Sequence, residues 1–308
     1  MNISTKTRKN YRQYLLAFLF LLPFILFVLL CWIGPLGTTI LLSFSDAKYI
    51  LSRMSYAGFS NYIKILRFDL YVPEILKITM FYIGCVLIIN ALFSFLLAIM
   101  VTYYIKHEMV GAVYRLLWFL PRMLPTIIYA LMWIWFIDPD IGLLNPILKL
   151  FGLPVPESWI LQKPFSYILL VAANGFIGVS WGMLIYSAAI KSIPISFFEA
   201  AMIDGATRFQ IIKEIILPLL RWPMLFVTAW QTLSLMGSYG EILAIWGSHG
   251  TARAAGVDVW ALYTYFKAFA LGDYSYAAAL SMILVIIGII LILIYFKIFG
   301  YGRLMQST

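Results

Sequence analysis

Six long apolar runs, joined by shorter polar connections, occupy most of this 308-residue chain, at about 13–44, 75–105, 112–137, 164–193, 219–246 and 275–299. A helix needs about 20 apolar residues to cross the hydrocarbon core of a bilayer. Only helices and closed barrels can satisfy their backbone there, and a barrel strand needs only about 9–11 residues. Runs of this length therefore predict an all-α integral membrane protein with six transmembrane helices. Composition excludes the soluble alternative: 63% of residues are hydrophobic and 11% charged, against about half and a quarter in a soluble domain.

The first run follows a basic tail containing Lys6, Arg8, Lys9 and Arg12, which superficially resembles the start of a secretory signal. The run is too long for one and lacks a small-residue cleavage site, so a retained anchor is expected. The expected organisation is a cytoplasmic tail at 1–12, a single six-span domain at 13–305 and a C-terminal end at 306–308. Six spans place both termini on one side. Twelve of the 22 basic residues fall on that side and eight of the 13 acidic residues in the opposite loops, which favours cytoplasmic termini in a cytoplasmic (inner) membrane. The net charge of +9 is scattered along membrane borders, a pattern that suits anionic lipid and not nucleic acid. Cys31 and Cys85 sit inside spans with no C-x-x-C and no nearby His, so they read as packing residues and not as a disulfide or metal site.

One connection, about 194–218, is unlike the rest. Phe197, Phe198, Ala201, Ile212 and Ile216 alternate there with Glu199, Asp204, Arg208, Lys213 and Glu214, which predicts two short amphipathic helices broken near Gly205. Ala200 and Ala201 permit close approach of a partner, Gly205 permits a sharp turn, and Glu199 offers a carboxylate to an arginine across an interface. The spacing E-A-A-x3-G-x9-I-x-L-P, from Glu199 to Pro218, resembles the EAA loop by which permease subunits of bacterial ABC importers dock on their ATPase. An ordinary interfacial helix would have no need of this register. The resemblance implies ATPase-coupling roles for Glu199, Ala200, Ala201, Asp204, Gly205, Phe209, Leu217 and Pro218.

Other segments extend the likeness over nearly the whole chain. Leu21-Leu22-Pro23, Gly58-Phe59-Ser60-Asn61-Tyr62, the Phe136–Asn145 loop with its Asp138-Pro139, and Tyr276-Ala277-Ala278-Ala279-Leu280-Ser281 are similar to elements of carbohydrate-type permeases. The pattern resembles the first of the two paired permeases in maltose-type uptake systems. Helix breakers in the Phe136–Asn145 loop predict a short external helix starting near Asn145, and segment 45–73 suits a short interfacial one. No G-x4-G-K-[ST] phosphate loop occurs, so this chain should hold no cofactor and catalyse no reaction, with ATP and Mg2+ bound by a partner ATPase. The resemblance implies a second homologous permease, two ATPase subunits, an external solute-binding protein and a carbohydrate substrate.

Polar residues at membrane depth are costly and tend to line a pathway or a bundle interior. Three spans carry them on one helical face: Arg122 and Thr126; Asn174, Gly178 and Trp181; Ser234, Ser238 and Glu241. In the resembled permeases the matching positions line the sugar cleft. Read singly, Asn90, Gly178 and Ser234 equally suit stitching between helices. Arg122 lies between Pro121 and Pro125, which open the helix. It suits a substrate carboxylate, as in an acidic saccharide, or a pairing with Glu241 on another span. Trp181 offers a flat face to a sugar ring.

The rival reading, an ion-driven secondary transporter, needs titratable groups at mid-depth and often inverted repeats. Only Arg122 and Glu241 qualify, and no internal repeat is visible. A membrane enzyme is weaker still: His107 and His249 lie in separate loops, and neither H-E-x-x-H nor G-x-S-x-G occurs.

Overall fold

The computed structural model describes residues 4–50, 54–105 and 107–300, with side chains from Tyr14 onward. The basic-tail side chains, Lys106 and the 306–308 end lie outside the described residues. The helices that matter below are α1 (Tyr14–Ser43), α2 (Val72–Tyr104), α3 (Glu108–Met123), α4 (Thr126–Ile137), α5 (Phe165–Lys191), α6 (Ile195–Ile203), α7 (Arg221–Met236), α8 (Gly240–Trp246) and α9 (Tyr274–Ile298).

Among the described residues, α1, α2, α5 and α9 are each long and apolar enough to cross a membrane unbroken. The expectation of six continuous spans holds for these four. The third span bends by 99° between α3 and α4. Its cause is local: proline disfavours helical geometry in the residue before it, and Leu124, preceding Pro125, is extended with φ −74 and ψ 141. Pro125 then caps α4, while Pro121 stays inside the last turn of α3. The fifth span stops after 16 residues of α7, roughly 24 Å of helix, and resumes at Gly240 after a break at Gly237-Ser238-Tyr239.

The chain divides into two compact units. In the first, residues 1–68 with 267–282, the Asn61 amide donates to the carbonyls of Ser43 (3.1 Å) and Ser45 (2.7 Å), and Ser45 and Ser275 share a 2.7 Å hydroxyl bond. The Gly58–Tyr62 element therefore clamps the end of α1. A short helix follows at Ser60–Ile63, in the segment expected to hold one. The best apolar stretch of α1 buries none of its residues within the chain, and Cys31 is exposed there, so it does not pack inside this chain's own core.

In the second unit, residues 69–266 with 283–308, two apolar clusters lie along the same helices. One joins Tyr82, Ile83 and Val86 of α2 to Leu169, Leu170 and Ala173 of α5 and to Leu235 and Met236 of α7. The other joins Ala98 and Ile99 of α2 to Met183, Tyr186 and Ile190 of α5 and to Val227 of α7. Between them α2 and α5 approach closely enough that a Cβ on Gly182 would lie 2.5 Å from Ser94 Oγ. Ser94 in turn donates to the Val179 carbonyl at 2.8 Å. Because overpacking a tight contact costs about 1–3 kcal/mol, Gly182→Ala should lower the melting temperature of the purified protein in detergent. An unchanged melting temperature would mean that the seam has slack.

A short helix is present where one was expected, at Leu144–Leu150, and there the buried Asn145 Oδ1 accepts from Trp159 Nε1 at 2.8 Å.

Candidate functional site

The interval between the two apolar clusters is polar. On α5, a 27-residue helix, it spans Asn174 to Trp181, with Gly178 at the helix midpoint. A cavity of about 60 Å³ opens there, lined by Asn90 of α2, Arg122 of α3, Asn174, Gly178 and Trp181 of α5, and Trp230, Gln231, Ser234 and Ser238 of the fifth span with Glu241 of α8. Seven of the eight sequence-derived cleft residues therefore meet at one place. Thr126 is the exception. It starts α4 beyond the bend, and its methyl group faces Gly240, 3.6 Å from where a Cβ would stand.

The two helix breaks flank this cavity. Arg122 occupies the last turn before the bend, Ser238 lies in the gap between α7 and α8, and Glu241 in the first turn beyond it. Irregular backbone at membrane depth is tolerated where it lines a cavity, which is where both breaks lie. The Arg122 guanidinium carbon stands 5.4 Å from the centroid of the Trp181 ring, within cation–π range. Trp181 and Trp230 lie 6.2 Å apart, centroid to centroid. Ser238 Oγ donates to Glu241 Oε2 at 2.6 Å. No carboxylate oxygen among the described residues comes within 4.0 Å of an Arg122 nitrogen, so the Arg122–Glu241 pairing is not formed in this conformation.

Trp230 and Gln231 were missed from the sequence, although they precede Ser234 by four and three residues. Extending the polar face of the fifth span back one turn would have included them. Gln231 Nε2 donates to the Gly178 carbonyl at 3.0 Å and so ties α7 to the centre of α5.

The amphipathic connection folds into the two short helices its pattern predicts, except that Phe197, expected on the apolar face, is exposed. Helix α6 ends at Ile203, Gly205 turns the chain at φ +78, and Thr207 opens a second helix, Arg208–Ile211, through a capping box with Gln210. Its inner side holds Phe198, Ala201, Ala206, Ile211 and Ile216 against the second apolar cluster, with the Phe198 ring 5.8 Å from Tyr103. Ala201 thus faces the chain's own core. Glu199, Ala200, Asp204 and Gly205 are exposed, and Met202, Ile203 and Phe209 present large apolar side chains to solvent. Leu217 and Pro218, at the far end of the loop, are exposed as well. An exposed apolar patch rimmed by polar residues marks an interaction surface. Beside it, Glu108 at the start of α3 pairs with both Arg115 and Lys191. The Lys191 hydrogen bond is the main reason its carboxyl is held below the ordinary carboxylate value.

The family described as "binding-protein-dependent transport system inner membrane component" matches residues 94–301, from the middle of α2 through both broken spans, the amphipathic loop and α9. This chain belongs to that family. It is an inner-membrane permease component of an ABC importer, a pore subunit of helical fold. The chain is 27% identical to the probable ABC transporter permease protein YesP of Bacillus subtilis, over 96% of this chain and 94% of that protein. It is 24% identical to the trehalose/maltose transport system permease protein MalF of Thermococcus litoralis, over 98% of this chain and all of that one. Its fold matches a chain in the crystal structure of a bacterial ABC transporter that imports the acidic polysaccharide alginate, at a TM-score of 0.80 and 20% identity, covering 96% and 99% of the two chains. The family match thus contains the loop with the EAA spacing and every cavity-lining residue named above except Asn90, which precedes it.

Proposed function

We propose that this permease forms one wall of a carbohydrate pathway and that the cavity at the centre of α5 is where the sugar passes. The carrying observation is a polar layer between two apolar clusters, beside both helix breaks, offering an indole face and an arginine that makes no ion pair within 4.0 Å among the described residues. At about 60 Å³ this cavity is far smaller than the roughly 300–1,000 Å³ of sites that enclose a small ligand. The other wall then belongs to a second, homologous permease. The name of one relative, a trehalose/maltose transport system permease, supports a saccharide cargo, and Arg122 favours an acidic one.

The exposed 199–209 surface would dock on one of two ATPase subunits, which bind the ATP and Mg2+. An external solute-binding protein would deliver the sugar to the opposite face, with both termini of this chain cytoplasmic. ATP-driven closure of the ATPase dimer would draw the docking loops together and rock the spans between inward and outward openings.

Purification through a tag on this chain should bring down an ATPase and a second permease. The complex, reconstituted with its binding protein, should take up maltose or a uronate disaccharide of the same length only when ATP is supplied. ATP-independent uptake driven by an ion gradient would favour a secondary transporter. Trp181→Ala removes a ring contact of the kind worth about 0.5–1.5 kcal/mol, so uptake should fall roughly two- to tenfold with ATPase retention unchanged. Loss of assembly instead would make the Trp181–Trp230 contact a packing feature.

A further inference from the structure

Several polar side chains along the α2–α5–α7 seam find backbone partners, while the buried hydroxyls of Tyr82, Thr102, Tyr186 and Ser187 on α2 and α5 have none. Ser94 bonds the Val179 carbonyl, Gln231 the Gly178 carbonyl and Asn174 the Leu170 carbonyl. Asn90 has none either. It is 1% exposed, and neither its Nδ2 nor its Oδ1 has a hydrogen-bond partner. An orphaned buried amide is among the costlier things a fold can keep, and it is costlier still where lipid replaces water.

The surrounding sequence makes room for this amide. A Cβ on Gly178 would lie 2.1 Å from Asn90 Nδ2, so only glycine lets it sit where it does. One turn farther along α5, on the same cavity wall, the Trp181 Nε1 is also buried and unpartnered. The cavity floor therefore offers three uncommitted N–H donors and one carbonyl acceptor, held in place by packing and not by bonds of their own. A pair of neighbouring hydroxyls on a sugar ring, each able to donate and accept, is the chemistry that would use all of them.

We propose that Asn90 is a specificity-determining residue of the cleft, reading a ring hydroxyl pair together with the Trp181 indole N–H. This rests on the carbohydrate reading above. It also separates the roles of the cavity walls: Arg122 addresses charge, whereas Asn90 addresses the hydroxyl pattern.

Asn90→Leu tests it, because leucine has nearly the same shape and no polar atoms. A purely structural amide without partners can be replaced by an apolar group of the same shape with little change or a gain in stability. The variant complex should retain its ATPase and melt no lower than wild type, while uptake of whichever probe the wild type accepts, maltose or the uronate disaccharide, falls about tenfold or more. With monodeoxy analogues of that probe, the penalty that wild type shows for one missing hydroxyl should vanish in the variant.

Unchanged uptake and unchanged discrimination in Asn90→Leu would overturn the proposal and leave the carbohydrate reading intact. Should that variant fail to assemble, Asn90→Asp keeps the shape and removes the N–H donors, and its uptake should fall equally. Normal uptake by Asn90→Asp, or failure of both variants to assemble, would make Asn90 a packing residue and overturn the role. Wild-type uptake of neither sugar would remove the carbohydrate reading, and this one with it.

Discussion

Glu199→Lys and Gly205→Val should each leave the permease inserted and folded but reduce ATP-driven uptake to near background. The two changes act by different physics. Glu199 is exposed on α6 beside the apolar Met202 and Ile203, so reversing its charge leaves the chain's own packing untouched. If this surface docks on an ATPase as proposed, the change would replace an attraction across that interface with repulsion, and breaking a desolvated charge pair at an interface costs about 2–5 kcal/mol. Gly205 has open space where a Cβ would go, so its substitution meets no clash. Its φ of +78 is the obstacle. A β-branched residue is strained in that region by about 1–3 kcal/mol, and relaxing the turn would re-aim α6 relative to the Arg208–Ile211 helix. The measurement is the amount of ATPase that copurifies with each variant, alongside uptake by the reconstituted complex. Full ATPase retention with normal uptake in both would remove the docking role of this loop.

The 194–218 loop was legible because its features are local. Helix breakers, caps and the alternation of Phe198 and Ala201 with Glu199 and Asp204 lie within a dozen residues, and the structure places inner and outer faces accordingly. The apolar runs were legible for a different reason: lipid admits few backbone solutions, so length and polarity nearly decide the element. What the sequence hid was continuity. Pro125 announced the bend in the third span, but Gly237 and Gly240 in the fifth are tolerated in many helices and gave no comparable sign.

The cleft was legible as three helical faces and illegible as a set of partners. Periodicity brought Asn174, Gly178 and Trp181 together with Ser234, Ser238, Glu241 and Arg122, yet it could not say that Arg122 would lie over Trp181 and out of ion-pair range of Glu241. That depends on the bend, which turns the last helical residues before Pro125 toward α5. Asn90 shows the same limit from the other side. Its significance lies in bonds it does not make, and spacing carries no information about those.

Arg122 and Glu241 give the second large expected effect, because in the proposed pathway they would decide what kind of sugar the cavity accepts. Glu241 already holds the Ser238 hydroxyl at 2.6 Å, whereas Arg122 faces the Trp181 ring and makes no ion pair within 4.0 Å among the described residues. If the guanidinium meets a substrate carboxylate, Arg122→Gln should cut uptake of a uronate disaccharide by at least tenfold more than uptake of maltose. The underlying loss is a charge-assisted bond worth about 1.5–3 kcal/mol, and Glu241→Gln should then change little. If the two residues pair in the other transport conformation, each single change strands a charge at a cost of about 3–5 kcal/mol. Both sugars should then lose equally, and Arg122→Gln with Glu241→Gln should restore much of the activity. Uptake of the matched acidic and neutral sugars by the two single variants and the double variant separates these outcomes. Equal losses with rescue in the double would discard the acidic cargo, and the arginine would then act as one half of a switch that forms as the spans rock.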